Sequence, residues 1–251
     1  MLFSFQCYAG SKFLLAGSTS QVASYLEYLP KDIVIFVDID NTIITPLSKT
    51  FRSTAHNKLI DEIKQNKAKY KNYEAIISNW RLQRKVMLTD KDWPQILTDL
   101  KQRYDVYGLT KIDTGKFGNI ESMEMWRYLE LKDLGIEFTT NNTIPEETIQ
   151  GSSFYRGIFI TGENSKSATI SHYAKYINLD NIVVIDDRKE HLDDIEKFCE
   201  ANSIKFLGIL FNGLEQYREE IDYNAAQFQK NYLIKNAKWL EDDEVIIEMQ
   251  K

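Results

Sequence analysis

Apolar residues along this chain alternate between two spacings. In short runs they are nearly unbroken, and between the runs they recur three and four apart. Residues 33–37, Ile-Val-Ile-Phe-Val, form the clearest run. An unbroken β-branched and aromatic stretch suits a strand covered on both faces, as in a parallel sheet between helices. Residues 106–110, 157–161, 182–185 and 204–211 are the other strand-like runs. Helical spacing covers 20–29, 55–71, 73–88, 93–104, 119–134, 165–177 and 190–202. Ser20 could cap the first of these, with Pro30 just past its end. Asp90 or Asp92 could cap the fourth, with Pro94 in its first turn. Gly135 ends the fifth. The tail, 214–251, is helical with one apolar face. Strands alternating with helices predict an α/β fold, a Rossmann-like and mostly parallel sheet flanked by helices. Residues 47–88 exceed what a crossover needs, so they are expected to form a helical insertion. The expected division is a core of 1–46 and 89–213, the insertion 47–88, and a tail 214–251 packed on the core.

In open α/β sheets, ligands bind outside the carboxyl ends of the strands. Here those ends carry chemistry. Asp38, Asp40 and Thr42 follow the first strand, Thr110 ends the second, and Asp186 and Asp187 end the fourth. Lys166 opens the helix between the third and fourth strands, after a turn and a possible cap at Gly162-Glu163-Asn164-Ser165. Carboxylates crowded together repel, and a divalent cation is the natural compensation. Oxygen ligands suit Mg²⁺, which also pairs with substrate phosphate. Asp38 could then attack phosphorus. Asp40 could protonate the leaving oxygen and later deprotonate a water. Thr110 and Lys166 would hold the equatorial oxygens, where charge concentrates. Alone, each signal has a plainer meaning: acids that end a strand, a capping hydroxyl, a solvated lysine. Their placement after buried strands makes the functional reading the better one. No glycine precedes Lys166, so the turn is not a phosphate-binding P-loop.

These motifs, in this order, resemble the haloacid dehalogenase (HAD) superfamily of phosphohydrolases. The resemblance runs from Ile33 to Asp187, with flanking core to about Phe211. It implies Asp38 as nucleophile, Asp40 as acid and base, Lys166 as charge clamp, and Thr110 with Asn41 as substrate ligands. It further implies Mg²⁺ held by Asp38, Asp187, the Asp40 backbone carbonyl and, in support, Asp186. The insertion would be a small cap over the site. Ser167 stands where the superfamily usually has glycine, which leaves Lys175 as an alternative to Lys166. Three shorter strings are similar to HAD-like proteins of host-associated bacteria, of the Legionella and Chlamydia type (DUF2608-like). They are Gly157-Ile158-Phe159-Ile160-Thr161, Asp92-Trp93-Pro94 and Gly135-Ile136-Glu137-Phe138. That group includes a phosphotyrosine phosphatase. The resemblance therefore implies a phosphomonoester hydrolase, with a phosphoprotein as one expected substrate and secretion into a host cell if the chain is an effector. A phosphatase of small metabolites, or a silent interaction module of the same fold, are the alternatives.

Composition narrows this further. The chain has 251 residues, with 31 Lys+Arg against 37 Asp+Glu, a net charge of −6. Such a balance argues against a nucleic-acid partner, which needs a basic footprint. It does not forbid a local phosphate site. Cys7 and Cys199 make no disulfide framework or zinc spacing, and a reducing, cytoplasmic setting is expected. No stretch has the length of a spanning helix, so membrane association is not indicated. The apolar N-terminus has no basic residue before Lys12, so no leader is expected and the mature chain is read as starting at Met1. A monomer is expected. His56, His172 and His191 are expected to be structural or surface groups, and Trp80, Trp93 and Trp126 to be core. The insertion lysines Lys58, Lys64, Lys67, Lys69 and Lys71, beside Tyr70 and Tyr73, are expected to be a solvated face, or else a basic rim. The acids at 241–244 are expected to be a solvated cap or loop.

Overall fold

The structure is a computed structural model that describes residues 13–52, 59–217 and 221–251. In chain order its strands are β1 (Phe13–Ala16), β2 (Val34–Val37), β3 (Ile44–Pro46), β4 (Val86–Leu88) and β5 (Asp105–Thr110). After these come β6 (Thr148–Ile149), β7 (Ser152–Tyr155), β8 (Ile158–Ile160), β9 (Asn181–Asp186) and β10 (Lys205–Phe211). The helices are α1 (Thr19–Leu26), α2 (Leu59–Gln65), α3 (Tyr73–Gln83), α4 (Trp93–Lys101) and α5 (Met123–Lys132). They continue as α6 (Lys166–Tyr173), α7 (Lys189–Ala201), α8 (Tyr223–Asn236) and α9 (Asp242–Glu248).

Eight strands form one sheet in the order β1-β10-β9-β2-β5-β8-β7-β6. From β1 to β8 the pairing is parallel, and β7 and β6 close the far edge antiparallel. The five strand-like runs all appear as parallel strands, with β2 central. Alternation along β2 shows why its run has no polar break. Ile35 and Val37 join the apolar cluster on one face, with Val22, Leu26, Trp93 and Leu97 of α1 and α4. Val34 and Phe36 join the cluster on the other, with Ile170, Tyr173, Leu192 and Ile195 of α6 and α7. Burying each such side chain contributes roughly 1.5–3 kcal/mol. Cys199 lies in the second cluster, and burial pushes its thiol up to about 12, so it is packing and not a nucleophile. Cys7 lies outside the described residues. Among those residues no helix is long and apolar enough to cross a membrane.

Several boundaries depart from the sequence pattern. The edge strand β1 was not expected, because four residues at a sheet edge carry too little periodicity to read. Ser18, not Ser20, caps α1. The helix expected over 73–88 stops at Gln83, where Arg84 turns extended. Residues 86–88 become β4, which pairs antiparallel with β3 at the base of the insertion. The fifth helix begins at Met123, because the Ser122 side chain caps it there. The expected helix over 55–71 lies partly outside the described residues, and its described part is α2 plus a short 3₁₀ turn at Lys67–Lys69.

The tail corrects an expectation. It packs mainly on the insertion, not on the sheet. Trp239 stacks on Phe51 with ring centroids 4.8 Å apart, and Asp242 accepts from Ser48 Oγ at 2.5 Å. Glu241 is buried, not solvated. It closes a capping box on α9 and accepts from the Trp239 indole and the Lys85 amide, each at 2.9 Å.

A loop from the core meets α3 at Gly118. Its φ is +54°, and a Cβ there would lie 2.4 Å from both the Glu74 carbonyl oxygen and Ser78 Oγ. The neighbouring Asn119 amide donates to Ser78 Oγ at 2.9 Å. Gly118→Val therefore has to break this docking, and a loss of about 2 kcal/mol or more is expected from backbone strain and overlap. Urea unfolding checks it; an unchanged midpoint would contradict the docking.

Candidate active site

The sheet order makes β9, β2 and β5 neighbours, so their carboxyl ends meet. Val37 pairs with Ile185 on one side and Gly108 on the other. One residue further, the Asp38 amide donates to the Ile185 carbonyl at 2.8 Å, which brings Asp38 beside Asp186. The chain then turns sharply: the Ile43 and Ile44 amides both return to the Ile39 carbonyl. Asn41 takes φ +69° in this turn, a conformation asparagine tolerates. Thr42 Oγ1, fully buried, donates to Asp38 Oδ2 at 3.0 Å.

Lys166 is the first residue of α6, after the Ser165 cap. Its Nζ lies 2.5 Å from Asp38 Oδ1 and 2.6 Å from Asp186 Oδ2, and all three side chains are buried. Lys175, the alternative lysine, instead lies over the Tyr176 ring at 4.7 Å, away from this cluster. Asp186 is also bonded by the Arg188 amide at 2.9 Å and meets His191 Nδ1 at 3.1 Å. Burial works against the Lys166 ammonium, but Asp186 and Asp38 outweigh it and raise its pKa. Burial likewise raises Asp186, but Lys166 and His191 outweigh it and its pKa falls. Asp38 goes the other way. Burial, aided by Asp186 and Asp40, lifts it to about 6 against the pull of Lys166.

Asp38, Asp186 and Asp187 each offer a carboxylate oxygen, and these lie within 4.8 Å of one another. Burial, then Asp38 and Asp186, raise the Asp187 pKa well above its usual value. With all three ionised, one ammonium would face three carboxylates, and the raised pKa values of Asp38 and Asp187 are the consequence of that surplus negative charge together with burial. The donor set fits a hard divalent cation such as Mg²⁺. Asp38 and Asp187 line the adjoining cleft and Asp186 does not, so these two are the carboxylates best placed to hold the ion.

Asp40 lies in a different environment. Its side chain is 37% exposed and turns away from the cluster. Arg127 Nη2 donates to its Oδ2 at 2.7 Å, Thr110 Oγ1 to the same oxygen at 3.3 Å, and Arg84 Nη2 lies 3.7 Å from Oδ1. Burial would raise its pKa, but Arg127 and Arg84 outweigh that and hold the carboxylate well below the usual range. Thr110 thus meets Asp40 rather than standing free.

A cleft of about 1080 Å³ opens between this floor and the insertion. Asp38, Asp40, Asn41, Thr110 and Asp187 line its floor, and Tyr73, Trp80 and Phe117 its wall. Lys64, Lys67 and Lys71 reach the rim, whereas Lys58 and His56 lie outside the described residues. Trp93 is fully buried as expected, while Trp80, though buried, also faces the cleft.

His191 was expected to be a structural or surface group and belongs to the site. Arg84, Arg127 and Glu130 were not singled out at all. A signal existed: Arg127 is spaced four residues from both Met123 and Leu131, on the buried face of α5.

A sequence profile of the family described as "Protein of unknown function (DUF2608)" matches residues 16–246. The chain belongs to this family. The DUF2608 chain is also similar to "Uncharacterized protein RP296" of Rickettsia prowazekii (strain Madrid E). The two are 28% identical over 233 residues, which cover 88% of this chain and 85% of the relative. No solved structure matches.

Two variants test the charge balance of the DUF2608 site. Lys166→Met leaves buried carboxylates facing each other, an expected loss of roughly 3–5 kcal/mol near neutral pH. Asp187→Asn removes one repelling charge, so the metal-free protein should melt higher, yet lose the rise in Tm that Mg²⁺ gives the native chain. A carboxyl raised above its unfolded value, as Asp38 is, costs stability: the cost builds as pH rises from the ordinary carboxylate range to the folded pKa of about 6 and is fully present above it. Metal-free protein should therefore gain from this group as pH falls from 7 toward 5. Melting curves with and without Mg²⁺ at both pH values check all three. An unshifted Tm with Mg²⁺ in the native chain would argue against the metal assignment.

Proposed function

We propose that this protein is a Mg²⁺-dependent phosphomonoester hydrolase of the HAD type, working through an aspartyl-phosphate. The observation that carries the reading is the cluster of buried Asp38 and Asp186 with half-buried Asp187, three acids against the one ammonium of Lys166, which is set between two of them. Mg²⁺ held by Asp38 and Asp187 would neutralise substrate phosphate and let an anionic nucleophile approach it.

The remaining chemistry belongs to the chain. An Asp38 carboxylate oxygen attacks phosphorus, and the bond from phosphorus to the leaving oxygen breaks. Lys166 stays charged through this step, since its raised pKa keeps the proton on Nζ. Asp40 gives a proton to the leaving oxygen. A water then attacks the phosphorus of the aspartyl-phosphate and gives its proton to Asp40, which releases inorganic phosphate and restores Asp38. Without substrate, Arg127 and Arg84 keep Asp40 ionised, the form the second step needs. For the first step, a bound phosphate dianion adds negative charge beside Asp40 and favours its protonation.

Tyr73, Trp80 and Phe117 beside the cleft support an aryl phosphate as substrate, phosphotyrosine being the protein-borne example. The test is release of p-nitrophenol from its phosphate by the native chain with Mg²⁺, with EDTA, and by Asp38→Asn. Expected is a rate that needs Mg²⁺ and falls at least about a thousandfold without the nucleophile, as losses of central catalytic groups do. Equal rates in all three would sink the mechanism. A phosphotyrosine peptide turned over no better than glycerol phosphate would remove the aryl preference.

A further inference from the structure

We propose that Arg84 and Arg127, yoked by Glu130, are positioning residues for Asp40, and that the C-terminal tail steadies Arg84 from behind. The inference rests on the hydrolase reading above. Proton transfer needs a carboxylate within hydrogen-bond reach of the leaving oxygen. Asp40, however, sits on a turn with a partly exposed side chain. What fixes it is a guanidinium pair. Arg127 Nη2 lies 2.7 Å and Arg84 Nη2 3.7 Å from its two oxygens.

Both arginines are themselves held. Glu130 accepts from Arg127 Nη1 at 2.7 Å and from Arg84 through three bonds of 2.9–3.1 Å. Stacking sets the plane of each fork. Arg84 lies over Trp80 at 4.6 Å and Trp126 at 5.4 Å, and Arg127 over Trp126 at 4.8 Å. The side chains of Arg84, Arg127 and Glu130 are 5%, 1% and 10% exposed, so the yoke is shielded from water.

Arg84 comes from the insertion, and the tail grips both of its flanks. Gln83 Nε2 donates to the Ala237 carbonyl at 3.1 Å, and the Trp239 amide donates to Gln83 Oε1 at 3.0 Å. On the other side, the Lys85 amide donates to Glu241 Oε1 at 2.9 Å. The path therefore runs from tail to Arg84 to Asp40.

The test uses leaving groups of different quality, with Asp40→Asn as reference. p-Nitrophenolate leaves without a proton, whereas an alkoxide from glycerol 2-phosphate needs one. Arg84→Met and Glu130→Gln should lower kcat/KM for the alkyl ester about tenfold more than for the aryl ester, as loss of general-acid help does. Arg84→Lys keeps the charge without the fork and should not restore the alkyl rate. Gln83→Ala, at an exposed position, should show the same split in smaller measure. The Mg²⁺-dependent rise in Tm should be unchanged in all of them, because the carboxylate cluster is untouched. Equal losses on both esters, or no loss, would overturn the positioning role while leaving the hydrolase reading standing. No Mg²⁺-dependent hydrolysis by the native chain would overturn both.

Discussion

The Lys166 ammonium, buried between Asp38 and Asp186, is the contact on which the rest of the site depends. Burying any one of these charges alone is prohibitive, and the pairing makes burial tolerable only with near-ideal geometry. The fold supplies that geometry from three elements. Adjacent strands β2 and β9 set the two carboxylates side by side, and the first turn of α6 drops the lysine between them. The remaining oxygens of the pair are satisfied by Thr42, the Arg188 amide and His191. Asp187 is what this arrangement leaves over, and its surplus charge is what a cation would balance.

Asp38 and Asp40 are two residues apart and have opposite surroundings. Asp38 is buried beside other acids and its pKa rises, whereas Asp40 meets two guanidiniums and its pKa falls. Pairs of carboxylates driven apart in this way are how one site holds groups with different tasks. The direction matters. Lys166 offsets only part of the burial and acid–acid repulsion acting on Asp38, so its carboxyl stays raised. Asp40 is already an anion, and its difficulty is position and proton affinity. Asp38 turns into the carboxylate cluster with Lys166, whereas Asp40 turns toward Arg84 and Arg127, so acids two residues apart meet opposite charge.

The parts of this site legible in the sequence were those that sit on regular, fully buried strands. An unbroken run such as 33–37 has only one comfortable place, and the residue that follows it falls at the sheet's carboxyl edge. Asp38, Thr110 and Asp186 were found by that logic, and Lys166 by its place after a turn and cap at a helix start; the structure brings all but Thr110 into one direct hydrogen-bonded cluster. Arg84 and Arg127 were missed because arginine on a helix usually reads as solvated, and only its partners show otherwise. Arg127 interrupts the buried face of α5, a local conflict resolved by Asp40 from one side and Glu130 from the other. β3 and β4 were missed for a related reason. Three residues each, they owe their conformation to one another, and helical spacing over 73–88 was overridden by that pairing.

The same long-range coupling decides how the insertion behaves. Its boundaries in sequence suggest a separate cap, but its apolar residues do not form a separate core. Leu59, Ile63, Ile77 and Trp80 of the insertion, Leu233 and Trp239 of the tail, and Ile35 and Val37 of the sheet belong to one continuous buried cluster. An insertion that hinged freely would have to expose that cluster on each excursion, at roughly 25 cal/mol for every Å² of apolar surface uncovered. Access to Asp38 therefore runs through the standing cleft rather than through wholesale opening of the insertion. A tail that packs on the insertion is then part of the cleft's support, and residues far from Asp38 in sequence help hold the guanidinium that faces Asp40.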